Sequence, residues 1–187
     1  MIYNERIIKA INLAYNAHKY EKDKMGVPYI FHPFKVAESI IEEESQFGGI
    51  KDCKALEDCV IIALLHDVVE TNIKSENEYI EFKDGIYFYK TNMSESEIIE
   101  KSIIGIRDVF GDIVADAVDA LTRRKDEKYF EYIDRVCKNS YSVKVKIYDI
   151  KNNMSVYRMK MLDDKEKESL SKRYIKAMEK LVKFERL

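Results

Sequence analysis

The chain has 187 residues, of which 46% are hydrophobic and 35% charged, and its net charge is −2. With only six glycines and two prolines, it has the composition of a helical globular protein rather than a β-sandwich or a disordered chain. The interspersed charges provide no basic surface of the kind that binds nucleic acid, and the longest apolar run is far below the roughly 20 residues of a membrane span.

The length suffices for one domain with a good core, so we expect residues 1–187 to form a single domain. The first residues lead directly into an amphipathic pattern, and no signal peptide is expected. Three cysteines, an odd number without CxxC spacing, predict reduced packing residues rather than bridges or metal ligands. We therefore expect a cytoplasmic protein.

Two helices are predicted before residue 50. Ile7 and Ile11 lie on one face of the first helix, which ends near His18. Pro33 suits the first turn of the second helix, because its fixed backbone angle fits there and its missing N–H is not needed. The pair Gly48-Gly49 ends this second helix.

A third helix is predicted from about Lys54 through His66 and Asp67, at the end of the most apolar run of the chain. A buried imidazole and carboxylate cost several kcal/mol unless they are paired, and a metal ion is a common way to offset that cost. Glu70 follows His66 by four residues, so it shares the same helical face. A core histidine paired with Glu70 explains this segment equally well, and both interpretations stay open here.

Residues 72–96 have a different sequence pattern from the rest of the chain, which is predicted to be helical. Two aromatic and β-branched runs, 79–82 and 86–89, flank Asp84-Gly85, which is a strong signal for a β-hairpin. An isolated hairpin is marginal in water, so it needs a surface to pack against. Its aromatic residues suit a lid over the site or a contact with a second copy of the chain, which would make a homodimer.

The second half of the chain predicts further helices. Ser94 and Glu97 form a capping box for a helix that reaches Phe110. Apolar spacing from Leu170 to Phe184 predicts a C-terminal amphipathic helix. Three more helices are predicted between these two, over about residues 113–121, 127–138 and 142–154.

Three segments of the chain together resemble the HD superfamily of metal-dependent phosphohydrolases. They read YIFHP at 29–33, LLHDVVE at 64–70 and VKIYDIKNNM at 145–154. More closely, they are similar to the hydrolase domain of RelA/SpoT homologues, which cleave the alarmone (p)ppGpp. The resemblance covers roughly residues 5–160, apart from the insertion at 72–96. It implies an all-α HD-domain bundle of about eight helices with a small β-hairpin insertion.

The resemblance also places residues 145–154 on a helix. Local pattern alone favours a strand there, because Val143, Val145 and Ile147 alternate with polar or amphipathic residues. We follow the resemblance and expect a helix.

By the same resemblance, the metal ligands are His32, His66, Asp67 and Asp149. Taken alone, His32 reads as a capping or surface histidine and Asp149 as a solvated aspartate, so only the joint pattern makes them ligands. This set of two imidazoles and two carboxylates contains no thiolate, which suits Mn²⁺ or another first-row divalent ion better than structural zinc.

Glu70 matches the family residue that positions or deprotonates the attacking water. The second acidic position of that pair is Thr71 here, and a hydroxyl cannot act as a base near neutral pH. Lys24 and Asn153 match residues that contact the nucleotide, although Asn153 could equally cap a helix. Asp23 stands where the family carries an arginine that stacks on guanosine, so an anion replaces a cation.

Arg123 and Arg124 follow a predicted helix end, with Lys125 next. They suit either phosphate contacts or favourable positions at a helix C-terminus. His18 also falls at a matching family position, and we expect it to be structural.

The sequence therefore predicts an enzyme that resembles guanosine-3′,5′-bis(diphosphate) 3′-pyrophosphohydrolases, with a small-molecule nucleotide as its partner and neither nucleic acid nor membrane. Two alternatives remain. The same chemistry could act on another nucleotide or phosphoester, which Asp23, Thr71 and the insertion at 72–96 favour. The protein could also be a catalytically weak nucleotide-binding sensor, for which Thr71 speaks.

Overall fold

The computed structural model of the protein describes residues 4–47, 49–74, 79–83, 86–90, 93–160 and 162–185. Within these ranges it forms a helical bundle with one antiparallel pair of strands, so the expected fold class is confirmed. In chain order the elements are α1 (Glu5–His18), α2 (Phe31–Phe47), α3 (Cys53–Leu65), α4 (Val68–Lys74), β1 (Tyr79–Lys83), β2 (Ile86–Lys90), α5 (Glu95–Phe110), α6 (Asp112–Leu121), α7 (Tyr129–Val136), α8 (Ser140–Asn153), α9 (Val156–Met159), α10 (Asp164–Leu181) and a 3₁₀ turn (Val182–Phe184).

Helix α3 lies at the centre of the bundle, where it packs against α1, α2, α6 and α8. From Val60 to Leu65, each residue is 3% exposed or less. A helix that is apolar around its whole circumference is stable only when neighbours cover every side, as they do here. Burying each large apolar side chain contributes roughly 1.5–3 kcal/mol. The strongest apolar run of the sequence therefore fixes the centre of the core.

Helix α8 is the second central element and packs against α2, α3, α6 and α10. Its residues Val143, Val145 and Ile147 are all buried, and so is the intervening Lys144. The strand-like alternation therefore occurs in a helix. Because neighbouring elements cover α8 on several sides, apolar residues at a spacing of two are buried there as well as residues at helical spacing. The helix expected from the resemblance is confirmed.

The predicted continuous helix through His66 and Asp67 is wrong. Helix α3 ends at Leu65, the next two residues form a turn, and α4 begins at Val68. The His66 ring donates from Nδ1 to the carbonyl of Ala63 at 2.7 Å. In an unbroken α-helix that carbonyl accepts the N–H of Asp67, so the side chain competes with the helical hydrogen bond at this point.

The predicted hairpin is present as an antiparallel pair, in which Tyr79 lies opposite Lys90 and Lys83 opposite Ile86. Strand β1 lies against α5 and also contacts α4. The hairpin is thus held against its own chain. The Asp84-Gly85 turn and the aromatic side chains of both strands lie outside what the structure describes.

Helix α5 begins at the predicted capping box. Ser94 Oγ accepts the N–H of Glu97, whose carboxylate in turn accepts the N–H of Ser94 at 2.8 Å. Gly111 separates α5 from α6 with a φ of 89°, a left-handed conformation that favours glycine.

The C-terminal helix is amphipathic as predicted, with Ala177 and Leu181 buried. Phe184, at the end of the predicted stripe, instead lies in the 3₁₀ turn and is 40% exposed. None of the helices in the described ranges has both the length and the apolar content needed to cross a membrane. All three cysteines are free.

Candidate functional site

Two histidines and two aspartates from three parts of the fold meet in the bundle, and we call them the His-Asp cluster: His32, His66, Asp67 and Asp149. His32 lies in the first turn of α2, the pair His66-Asp67 at the α3–α4 junction, and Asp149 in α8. The structure thus brings together all four residues predicted as ligands. His32, His66 and Asp149 are buried and present ligand atoms within 4.8 Å of one another.

The distances show how closely the four side chains converge. His32 Nε2 lies 3.1 Å from Asp149 Oδ1 and 3.5 Å from Asp67 Oδ2. His66 Nε2 lies 3.0 Å from Asp67 Oδ2 and 3.8 Å from Asp149 Oδ1. Nε2 of both rings therefore faces the carboxylates of Asp67 and Asp149.

The remaining nitrogen of each ring is used for orientation. His66 Nδ1 donates to the Ala63 carbonyl, and His32 Nδ1 donates to Asn152 Oδ1 at 2.8 Å. A neutral imidazole bonded in this way carries its lone pair on Nε2, as a metal ligand does. His66 Nε2 is buried and, among the described residues, has no hydrogen-bond partner, although Asp67 lies close by. The donor set and this unpaired atom fit a divalent cation.

The electrostatics of the cluster favour a bound positive charge. Burial raises the pKa of Asp67, but the charges of His66 and His32 hold it well below the ordinary range. Burial likewise raises the pKa of Asp149, which Lys146 and His32 bring down far enough to keep it ionised. Burial lowers the pKa of His66, yet the Asp67 charge raises it to about 9. A divalent cation would compete with that proton for Nε2.

Both carboxylates are held by further side chains. The hydroxyl of Tyr29 donates to Asp67 Oδ2 at 2.7 Å. Lys146 donates to Asp149 Oδ2 at 2.7 Å, and Asn153 to Asp149 Oδ1 at 2.6 Å. Each aspartate therefore has a fixed orientation toward the histidines.

The sequence interpretation gave no role to Tyr29, Lys146 or Asn152. Lys146 and Asn152 lie three residues before and after Asp149 in one helix, so helical spacing around Asp149 was a usable signal. Tyr29 precedes His32 by three residues, in a segment whose conformation the sequence did not predict.

Glu70, the predicted catalytic residue, lies in the first turn of α4. Its Oε1 accepts the backbone N–H of Arg123 at 2.9 Å, and its Oε2 lies 3.9 Å from Lys74 Nζ. Burial and then the negative charge of Asp67 raise the pKa of Glu70, so this carboxylate is more basic than an ordinary surface glutamate. Glu70 thus lies within the electrostatic reach of the His-Asp cluster.

Thr71, which stands at the second acidic position of the family pattern, lies against a carboxylate from another element. Its Oγ1 donates to Glu21 Oε2 at 2.8 Å, and His18 Nδ1 lies 2.9 Å from the same oxygen. Burial raises the pKa of Glu21, but these two hydrogen bonds lower it, so Glu21 is ionised. His18 is fully buried, and its ring centroid lies 5.1 Å from that of Tyr29.

Two cavities adjoin the cluster. The first, which we call the Lys24 cavity, has a volume of about 180 Å³ and contains both predicted substrate-binding residues, Lys24 and Asn153. Its other lining residues are Asp23, Met25, Arg158, Leu162, Leu170 and Tyr174.

The second, the Lys35 cavity, has a volume of about 250 Å³ and reaches the cluster at His32. Its other lining residues are Asp23, Val27, Pro28, Tyr29, Phe31, Lys35, Asn152, Ser155, Tyr157 and Arg158. Asp23 and Arg158 line both cavities, so the two adjoin one another.

The basic residues after α6 have structural partners. Arg124 donates to the carboxylate of Asp119 at 2.6 Å, and also to backbone carbonyls at the end of α6. The Arg123 guanidinium donates to the Glu127 carbonyl at 2.9 Å. The sequence left two roles open for these residues, phosphate contacts and placement at a helix C-terminus. The contacts of Arg124 fit the second role.

No known protein-family profile matches the chain. Among solved structures, one of a metazoan orthologue of SpoT, which hydrolyses ppGpp and plays a role in starvation responses, is similar in fold. It superposes with a TM-score of 0.58 at 18% sequence identity, covering 94% of this chain and 86% of that one. The likeness shows the fold, and the expected all-α helical bundle is confirmed.

Proposed function

We propose that the chain is a metal-dependent nucleotide phosphohydrolase of the HD type, which removes the 3′-pyrophosphate from ppGpp, and that residues 1–187 act as one hydrolase domain. The observation that carries this proposal is the convergence of two imidazole nitrogens and two ionised carboxylates beside the Lys35 cavity. The likeness in fold to a ppGpp hydrolase supports it.

His32, His66, Asp67 and Asp149 would hold the cation. Their two nitrogen and two oxygen donors, with no thiolate, support Mn²⁺ as the metal. When bound, a divalent cation of this kind polarises a phosphate oxygen and lowers the pKa of water. Asn152 and Ala63 fix the two rings, while Tyr29 and Lys146 fix the two carboxylates.

Glu70 would accept a proton from the attacking water. Its raised pKa suits this role, because a general base works best when its pKa lies closer to the operating pH. The hydrogen bond from the Arg123 backbone N–H holds Oε1, and Oε2, which lies 3.9 Å from Lys74 Nζ, would orient the water. Thr71 cannot share the proton transfer, since its hydroxyl already donates to Glu21.

The Lys24 cavity would receive the nucleoside. Asn153 lies one helical turn after Asp149 and so links the nucleoside to the cluster. Lys24, whose Nζ lies 3.5 Å from Glu166 Oε1, adds a positive charge to the lining, which suits a phosphorylated ligand. Other lining residues suit a planar base, namely Leu162, Leu170 and the aromatic ring of Tyr174.

One observation favours a second candidate, the same chemistry on another nucleotide or phosphoester. Asp23 lines both cavities, and its Oδ1 accepts the N–H groups of Met25 and Val27 at 2.8 and 3.0 Å. The carboxylate is therefore built into the loop that carries Lys24. An anion at this place cannot stack on guanine as an arginine does.

The deciding experiment incubates the purified full chain and Mn²⁺ with ppGpp, nucleoside triphosphates and a simple phosphodiester. Release of pyrophosphate and GDP from ppGpp supports the proposal. Turnover of another substrate in the panel supports the second candidate, and tight nucleotide binding without any release supports a sensor. Asp67→Ala should abolish turnover, whereas Asp108→Ala, an exposed aspartate on α5, serves as the matched control.

A further inference from the structure

Two cations line the Lys35 cavity without a carboxylate partner. The ammonium of Lys35 lies 5.1 Å from the centroid of the Tyr157 ring, and the guanidinium of Arg158 lies 6.0 Å from that of Tyr29. In the part of the chain that the structure describes, neither side chain forms an ion pair. Four other arginines do bind carboxylates: Arg6, Arg107, Arg124 and Arg135.

The acidic residue on the cavity wall, Asp23, is hydrogen-bonded within its own loop. Asp23 lines the same cavity as Arg158, but its Oδ1 accepts backbone N–H groups and the described residues show no ion pair between the two. Further hydrogen-bonding groups on the wall come from Ser155 and Asn152. Two cations with hydroxyl and amide groups beside them are a typical environment for phosphate.

The position of the cavity relative to the cluster tells which phosphate this is. The Lys35 cavity reaches the cluster at His32, the Lys24 cavity includes Asn153, which donates to Asp149 of the cluster, and Arg158 lines both cavities. A nucleotide seated in the Lys24 cavity, with the cleaved group at the cluster, has its remaining substituent free to enter the Lys35 cavity.

We propose that Lys35 and Arg158 form a second anion-binding subsite, which holds a phosphate group of the substrate other than the one that is cleaved. The inference rests on the proposed function, and it defines the substrate class: a nucleotide phosphorylated at two separate positions. For ppGpp, the group in this subsite is the 5′-diphosphate.

Kinetics with nucleotides that differ only in that group test the proposal. The pair is ppGpp and guanosine 3′-diphosphate with a free 5′-hydroxyl. The wild type should show a lower KM for ppGpp, and Lys35→Gln or Arg158→Gln should reduce this advantage roughly tenfold to a hundredfold, as expected for a lost charge-assisted contact. Lys51→Gln, which removes an exposed charge elsewhere, should keep it. An unchanged KM ratio in both variants overturns the proposal.

A second measurement separates this proposal from the proposed function. Binding of inorganic pyrophosphate to the Mn²⁺-containing protein is measured by calorimetry, because the metal contributes equally in every variant. If the wild type turns over neither nucleotide, the proposed function fails, yet pyrophosphate binding roughly tenfold weaker in K35Q and R158Q than in K51Q still supports an anion subsite. If K35Q and R158Q bind pyrophosphate more weakly but keep the wild-type ratio of the two KM values, the subsite binds a free anion or the product, and its role in substrate binding is overturned. Equal binding in all variants overturns the subsite itself.

Discussion

Asn152 accepts a hydrogen bond from Nδ1 of His32 at 2.8 Å, and this bond turns Nε2 of the ring toward Asp149. Outer partners of metal-bound histidines typically change metal affinity by 10–100-fold when they are removed. We expect Asn152→Ala to weaken Mn²⁺ binding by roughly that factor while the fold is retained. Asn152→Asp keeps an acceptor oxygen and should therefore restore much of the Mn²⁺ affinity, which a calorimetric titration measures. If the alanine variant binds Mn²⁺ as tightly as the wild type, Asn152 does not position His32.

His66→Ala or Asp67→Ala should abolish metal binding. Because a ligand that binds only the folded state stabilises it, these variants should also lose the rise in melting temperature that Mn²⁺ gives the wild type. Metal content by elemental analysis and thermal denaturation with and without Mn²⁺ check both points. If both variants keep wild-type metal content and melting temperature, the cluster is not a metal site.

Glu70→Gln should leave metal content near that of the wild type and lower turnover by roughly two to four orders of magnitude, the usual contribution of a positioned acid–base group. The amide keeps an acceptor for the Arg123 N–H, so the local structure should persist. Glu42→Gln, on the exposed side of α2, is the matched control. Near-normal kcat in the Glu70 variant would show that this residue is not the base.

Glu21→Gln should change the dependence of stability on pH. Burial raises the pKa of Glu21, but the hydrogen bonds from His18 and Thr71 lower it, so its contribution to the free energy of unfolding is complete above about pH 4.3 and disappears as the pH falls through the lowered value. We expect the variant to be less stable by about 1 kcal/mol at neutral pH, with the difference shrinking in acid. Urea denaturation of both proteins from pH 7 to pH 3 measures this, with Glu38→Gln as a control; a difference that does not shrink in acid contradicts the assignment.

Replacing residues 79–91 by a short Gly-Ser loop should leave the helical core folded, because, in the part of the chain that the structure describes, the central helices α3 and α8 pack against other helices. Strand β1 contacts α4, the helix that carries Glu70, so we expect a change in KM or substrate preference, or a shift from dimer to monomer. Kinetics and light scattering on the two proteins provide the readouts. If neither changes, the hairpin is an addition to the surface without a functional role.

The sequence predicted most of the helices from hydrophobic periodicity, and the resemblance predicted all four residues of the His-Asp cluster. For α8 the local pattern favoured a strand, and only the resemblance indicated a helix. The sequence missed the break between α3 and α4, since the run from Leu64 to Glu70 contains no glycine or proline. At that break the His66 side chain donates a hydrogen bond to the Ala63 carbonyl, which a hydrophobic pattern does not encode.

The partners of the cluster were harder to foresee than its members. Tyr29 and Asn152 are uncharged and common in many settings, so only their hydrogen bonds in the folded chain distinguish them. The same holds for Glu21, which reaches Thr71 from a loop fifty residues away in sequence. Contacts of this kind are set by how helices pack, and one sequence contains little information about that packing.

The order of the chain also sets an order of assembly. During synthesis from the N-terminus, His32, His66 and Asp67 are all complete once α4 has been made, but Asp149 follows only with α8. Helix α8 packs against α2 and α3, and it contributes the remaining carboxylate together with the Asn152 that orients His32. A nascent chain that stops before α8 therefore lacks both, and the finished cluster exists only in a chain that has been translated through α8.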